Sequence, residues 1–315
     1  MLFAINALVA TFDEHYAHTT VNFVDPFFKA KIVPLDNAFA KNDSVQQNIS
    51  VVNARMHNIS LGRNGFELVS TKPMTTDEYA DDEIVKSQLY GECQALVRAR
   101  TNCSQTYVLG HMRRNGKPGK NFDGLYGTAV HSDIHVDFEV AVIPNFPKIQ
   151  GKHFAVYNMW RSTDSEGNIE SMPLAFVDTG SVAADDMVPA EAQSANNFKT
   201  IYYRLAHNSS QRWFVYPVMT PAETLLFRQY DTREPQLHQR QTFHTAVNIT
   251  HPNPTGTPAR RRQSIEVRVI AVFDDDAEWD DRQKRFFAET VGVPSERWQS
   301  APGHAYGPAV SDNLQ

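Results

Sequence analysis

Residues 262–273 read Arg262-Gln263-Ser264-Ile265-Glu266-Val267-Arg268-Val269-Ile270-Ala271-Val272-Phe273, a β-type run led by a guanidinium and a hydroxyl. Runs of the same texture precede it at 106–109, 138–143, 153–160, 174–177, 199–203, 212–216 and 224–227, each bounded by turn residues. Short strands at this spacing predict a sandwich or jelly roll, with 105–275 as its core. Upstream, 1–104 reads as packing around that core, and apolar residues at three-to-four spacing predict an amphipathic helix over 84–97. Downstream, 276–315 holds a charged terminal helix over 278–291 and a loose Pro- and Gly-containing tail. One domain over 1–315, mainly β with flanking helices, accounts for the whole chain.

Composition narrows the function. The net charge of −6 over 315 residues argues against a dedicated nucleic-acid binder, whose basic stripe is missing. No apolar stretch approaches the ~20 residues that span a bilayer. The hydrophobic start, Met1 to Ala10, lacks a basic flank and reads as a buried strand or short helix, so the expected location is cytoplasmic. Cys93 and Cys103 are too few for a disulfide framework and are expected to be reduced thiols. No 20–50-residue period repeats, which removes solenoids and propellers.

The chemistry concentrates in Val130-His131-Ser132-Asp133-Ile134-His135-Val136-Asp137-Phe138, where two His-x-Asp pairs follow one another. Residues two apart on a strand share a face, so imidazole and carboxylate can converge on one ion. His131 and His135 would stand ~13 Å apart on an extended strand, so only one pair can ligate. A distant histidine completes a two-His-one-carboxylate set, and His244, in Phe243-His244-Thr245-Ala246, is the candidate. Such a set leaves positions open on iron(II) for a chelating 2-oxo acid and O₂.

The run at 262–273 supplies the complement. Arg262 and Ser264 share a strand face and can grip one carboxylate, the guanidinium fork suiting it better than lysine would. Arg268 has the same parity but lies about 20 Å further along, where Glu266 is its expected partner. Cations for a carboxylate-bearing substrate would come from Arg113, Arg114 or Arg161, with Asn158 and His135 as further pocket candidates. Trp160, Trp213, Phe214 and Tyr216 read as sandwich core.

Taken in order, Tyr126-Gly127-Thr128-Ala129-Val130-His131-Ser132-Asp133, Asn158-Met159-Trp160-Arg161, Pro173 to Asp178, Asp185 to Pro189, Arg212-Trp213-Phe214, Met219 to Glu223, Tyr230-Asp231, Phe243 to Ala246 and Ser264 to Arg268 resemble the CmcJ/AsaB-like hydroxylase/desaturase family over roughly 105–273. The resemblance implies a double-stranded β-helix (cupin-like) fold, Fe(II), 2-oxoglutarate and O₂, and a small-molecule substrate of secondary metabolism. It also favours His131 and Asp133 over His135 and Asp137. The reaction it implies is oxidation of an unactivated C–H by hydroxylation, desaturation or oxidative cyclisation, a kainoid-synthase-like ring closure among them. Two departures, a short span from His131 to Asn158 and Ser162 where the family usually has proline, flank the expected substrate pocket. Two rival readings use the same residues: an inactive cupin-like binding or partner subunit, and a zinc hydrolase, for which no positioned general base is evident.

Overall fold

The computed structural model describes residues 15–28, 43–117, 124–135, 138, 149, 152–193, 199–249 and 258–276. Two sheets face each other. The larger runs, in spatial order, β1 (Tyr16–Val24), β2 (Ser44–Asn53), β10 (Trp213–Val215), β7 (Leu174–Val177), β12 (His244–Ala246), β5 (His131–Ser132), β9 (Lys199–Leu205) and β8 (Met187–Gln193). The smaller runs β3 (Phe66–Ser70), β11 (Glu223–Asp231), β6 (Lys152–Ser162), β13 (Ser264–Asp276) and β4 (Gln105–Arg114). This is the jelly roll that the strand spacing predicts.

Strand alternation sorts the side chains of the smaller sheet. On β6 and β13 the odd-numbered residues Ala155, Tyr157, Met159, Ile265, Val267, Val269 and Ala271 form one buried cluster. Leu89, Tyr90, Cys93 and Val97 close it from above. They belong to a helical layer built from α1 (Leu61–Asn64), α2 (Thr76–Ala80), α3 (Asp82–Ile84), a π turn over Val85–Leu89 and the twelve-residue α4 (Tyr90–Thr101). The helix predicted at 84–97 is thus present and runs four residues further, until Asn102 ends it in the left-handed conformation. Both cysteines are free and buried, and burial pushes the Cys93 thiol up to about 12.

The even-numbered residues face the other sheet. Trp160 joins Phe66, Phe176, Phe214, Tyr216, Leu225 and Phe227 in an inter-sheet aromatic core. There the Phe66 and Phe176 rings stack 4.8 Å apart, and Phe227 meets Phe176 edge-on at 5.0 Å.

The first hundred residues depart from the packing role expected of them. β1 and β2 extend the larger sheet and β3 forms an edge of the smaller one. The cue was present but faint: β1 alternates exposed and buried positions, yet its outward His18 and Thr20 and its inward Thr19 dilute the apolar signal. β8 was also hidden, because Pro189 argues against a strand; β8 lies at the sheet edge, where a missing N–H is tolerated. The predicted helix at 278–291 and most of the predicted strand at 138–143 lie outside the described residues.

Gly65 joins the two sheets. It ends α1 at φ +87°, and its carbonyl accepts from the Arg228 amide of β11 and from the Thr242 hydroxyl just before β12. A Cβ there would stand 2.3 Å from Thr242 Oγ1 and 2.6 Å from Thr179 Cγ2. Gly62, in the same turn, meets nothing within 4 Å. Gly65→Ala is therefore expected to destabilise by about 2 kcal/mol or more, through left-handed strain and overpacking. Gly62→Ala should be neutral or stabilising by up to about 1 kcal/mol. Urea unfolding of the two variants checks the contrast.

Candidate metal and co-substrate site

Three side chains converge between the sheets. His131 on β5 and His244 on β12 are directly paired across the ladder, with ring centroids 4.6 Å apart. Asp133 follows β5 by one residue, and its Oδ1 lies 3.4 Å from His131 Nε2. One ligand atom from each of His131, Asp133 and His244 falls within 4.8 Å of the others. In both rings Nδ1 faces a backbone carbonyl, Ala129 O at 2.7 Å for His131 and Thr242 O at 3.2 Å for His244, which turns Nε2 toward the shared space.

The protonation states suit a cation. Burial, then the neighbouring His131, holds the His244 imidazole down at about 3, so it is neutral with a lone pair to give. Phe227 at 5.0 Å and Phe176 at 6.0 Å form its apolar wall. Burial opposes ionisation of Asp133, but Arg268, followed by His131 and His244, overrides it and holds the carboxyl well below the usual range. Two imidazoles and one carboxylate, convergent within 4.8 Å, fit a divalent first-row metal.

His131 needs room that Gly127 leaves. A Cβ on Gly127 would lie 2.9 Å from His131 Cε1, and the Gly127 carbonyl already accepts from the Ala246 amide at 2.7 Å, so that backbone has little freedom to retreat.

Arg262 sits just before β13 and is buried, its guanidinium 4.1 Å from the Tyr126 ring centroid and 5.3 Å from that of Trp160. One arm donates to the carbonyl of Met172, a residue at φ +52°. No carboxylate bridges it among the described residues, and its Nε and the Ser264 Oγ are both buried without a hydrogen-bond partner. Burial pulls the guanidinium down to about 9, still cationic at neutral pH. A buried cation with no ion-pair partner among the described residues, beside an unsatisfied hydroxyl, is costly, and a carboxylate would relieve both.

The remaining predicted residues separate by parity. Asn158, even-numbered on β6, faces inward and donates to Asp133 Oδ2 at 3.2 Å. Arg161 is odd-numbered and pairs on the helix side with Glu92 at 3.1 Å, also reaching Thr71 and the Lys72 carbonyl. Arg113 likewise pairs with Asp82 at 2.6 Å and donates to the Tyr79 carbonyl. Neither guanidinium is brought to the triad, because strand alternation commits both to the helical layer. Arg114 donates to the Leu125 carbonyl at 2.6 Å. His135 is buried with its ring 4.5 Å from that of Tyr203 and does not join the convergent set; Asp137 lies outside the described residues. Arg268 does contact Glu266, at 3.3 Å, but its shorter bond is to Asp133 Oδ2 at 2.5 Å. Sequence reasoning missed that bond and missed Gln229, which donates to the same oxygen at 2.9 Å. The one available signal for Gln229 was an amide between the apolar run Leu225-Leu226-Phe227 and Tyr230 on β11.

A family model described as "Oxidoreductase/YMDC permease-like domain" matches residues 15–273, and the chain belongs to that family of oxidoreductases. No helix among the described residues is long and apolar enough to cross a membrane. Among relatives, the "Hydroxylase/desaturase efuI" of Hormonema carpetanum is 23% identical over 249 residues, covering 69% of this chain and 79% of its own length. The "Alpha-ketoglutarate-dependent dioxygenase tstK" of Talaromyces stipitatus is 19% identical over 229 residues, covering 68% and 80%. The solved structure of the "iron and alpha-ketoglutarate-dependent endoperoxidase NvfI" superposes with a TM-score of 0.68 at 19% identity, covering 83% of this chain and 99% of that one. That likeness supports the jelly-roll fold.

Gly127→Ala should displace the His131 ring and weaken divalent-metal binding on the order of tenfold, as disturbed ligand orientation does. Calorimetric titration with Co(II) measures it, and an unchanged affinity would show that the ring has room to spare.

Proposed function

We propose that the protein is a non-haem iron(II), 2-oxoglutarate-dependent oxygenase that oxidises an unactivated C–H of a small molecule of secondary metabolism. The reading rests above all on the convergence of His131, Asp133 and His244 within 4.8 Å. It takes these three as the iron ligands, with Arg262 and Ser264 gripping the far carboxylate of 2-oxoglutarate. The names of the two curated relatives, a hydroxylase/desaturase and an alpha-ketoglutarate-dependent dioxygenase, support the cofactor set of Fe(II), 2-oxoglutarate and O₂. A single oxygenase domain over 1–315 and a cytoplasmic location belong to the same reading. Hydroxylation, desaturation and ring closure all remain outcomes of one chemistry, and the substrate decides among them. An inactive binding subunit is disfavoured, since a decayed site would have no reason to keep a buried guanidinium and hydroxyl without partners.

When bound, iron(II) with 2-oxoglutarate and O₂ supplies the oxidant that removes hydrogen from the substrate. The chain supplies position and dryness. His244 brings a neutral nitrogen against the Phe176 and Phe227 wall, which keeps water from that side. Arg262 offers a charge-assisted bond and Ser264 a hydroxyl, which together fix which end of the co-substrate faces the triad. Tyr126 holds Arg262 in place, its ring against the guanidinium and its hydroxyl donating to the Arg262 carbonyl at 2.6 Å.

Anaerobic addition of Fe(II) and 2-oxoglutarate should give a weak visible charge-transfer band that His244→Ala abolishes; its absence from the intact protein would refute the reading. Arg262→Ala should cost about 3 kcal/mol of co-substrate binding, on the order of a hundredfold in the 2-oxoglutarate requirement, with iron affinity little changed. Succinate release against 2-oxoglutarate concentration measures it.

A further inference from the structure

Asp133 does not stand on its own strand pair. It lies in a bend beyond β5 and is held from the opposite sheet by three donors on one oxygen. Arg268 Nη2 on β13 reaches Oδ2 at 2.5 Å, Gln229 Nε2 on β11 at 2.9 Å and Asn158 Nδ2 on β6 at 3.2 Å. Gln229 also accepts from the Asp133 amide through Oε1 at 3.1 Å, so it clamps backbone and side chain together. Arg268 Nε donates to Asn158 Oδ1 at 3.1 Å, and these two residues are register partners, which ties the donors into one network.

The backbone is shaped for this. The pairing of β11 with β6 slips between Arg228 and Tyr230, leaving Gln229 as the extra, unpaired residue of a β-bulge. Without the slip, alternation would follow the inward Phe227 and outward Arg228 with one inward residue. With it, two successive residues turn inward, Gln229 onto Asp133 and Tyr230 into the cluster with Val156 and Phe154. A second slip, between Arg268 and Val269 where β13 pairs with β4, adjoins the Arg268 donor.

Resting on the metal-site reading above, we propose that Gln229, Asn158 and Arg268 are positioning residues that saturate Asp133 Oδ2 and so restrict Asp133 to one-oxygen ligation through Oδ1. A carboxylate oxygen offers about two lone-pair directions, and Oδ2 already meets three donors, one of them cationic. A metal approaching Oδ2 would displace a hydrogen bond and close on the Arg268 charge. Among the described residues Oδ1 accepts no such donor, and it lies 3.4 Å from His131 Nε2 within the group that His244 completes. Ligation through one oxygen leaves one more metal position for exogenous ligands than chelation by both would.

The test is Co(II) titration of the full chain, with visible absorption as readout beside affinity. Removing Arg268 would leave Asp133 and Glu266 as facing carboxylates and threaten folding, so Gln229→Leu is the primary variant and Asn158→Ser the second. Each should bind Co(II) ten- to a hundredfold more weakly, with ligand-field bands shifted, while metal-free melting stays near that of the wild type. Gln229→Asn, which keeps the amide on a shorter arm, should recover part of the affinity. Wild-type affinity and bands in both variants would overturn the cradle. So would lowered melting with unshifted bands, since that is what a merely structural role gives. Co(II) uptake that survives His244→Ala would instead refute the ligand set, and the cradle with it.

Discussion

Side-chain alternation on β6 and β13 is the constraint from which the rest of the molecule follows. Each strand is buried on both faces, so neither face is spare: one meets the helical layer, the other meets the larger sheet. Parity alone decides that Asn158 faces Asp133 while Arg161, three residues on, faces Glu92. It likewise places Ser264, Glu266 and Arg268 on the side of the site and Ile265, Val267 and Val269 beneath α4. A slip of one residue would carry every one of these groups to the wrong layer.

The two halves of the site solve different electrostatic problems. Around the triad, charge is balanced inside the protein: Asp133 is ionised because Arg268 is beside it, and Arg268 is tolerated because Glu266 is its second partner. Around Arg262 it is less balanced, for the guanidinium has aromatic faces and a carbonyl but no ion-pair partner among the described residues. The first environment holds its members whether or not a ligand is present. The second, in the proposed reading, is completed by a ligand that brings a negative charge.

The strand texture and the Arg-x-Ser and His-x-Asp spacings were readable in the sequence because each depends only on neighbours two residues apart. They carry the jelly roll, the Arg262–Ser264 pair and a choice of two His-x-Asp pairs, whereas the preference for His131 and Asp133 over His135 and Asp137 came from the family resemblance. The placements of Arg113 and Arg161 were not readable, because parity within a strand says which residues share a face but not which face looks at the site. Gln229 was less readable still, since a bulge changes the parity in mid-strand and leaves no residue-type mark. The strands before residue 71 were obscured by polar outward positions, and β8 by its proline.

The cradle also says something about when the site can exist. Asn158, Gln229 and Arg268 lie 25, 96 and 135 residues from Asp133 along the chain. No local segment contains the set, and loop-closure entropy must be overcome before any of the long-range bonds compensates for it. A nascent chain therefore carries His131 and Asp133 long before it carries their partners, and the hydrogen-bonded set around Asp133 is complete only in a chain synthesised through β13.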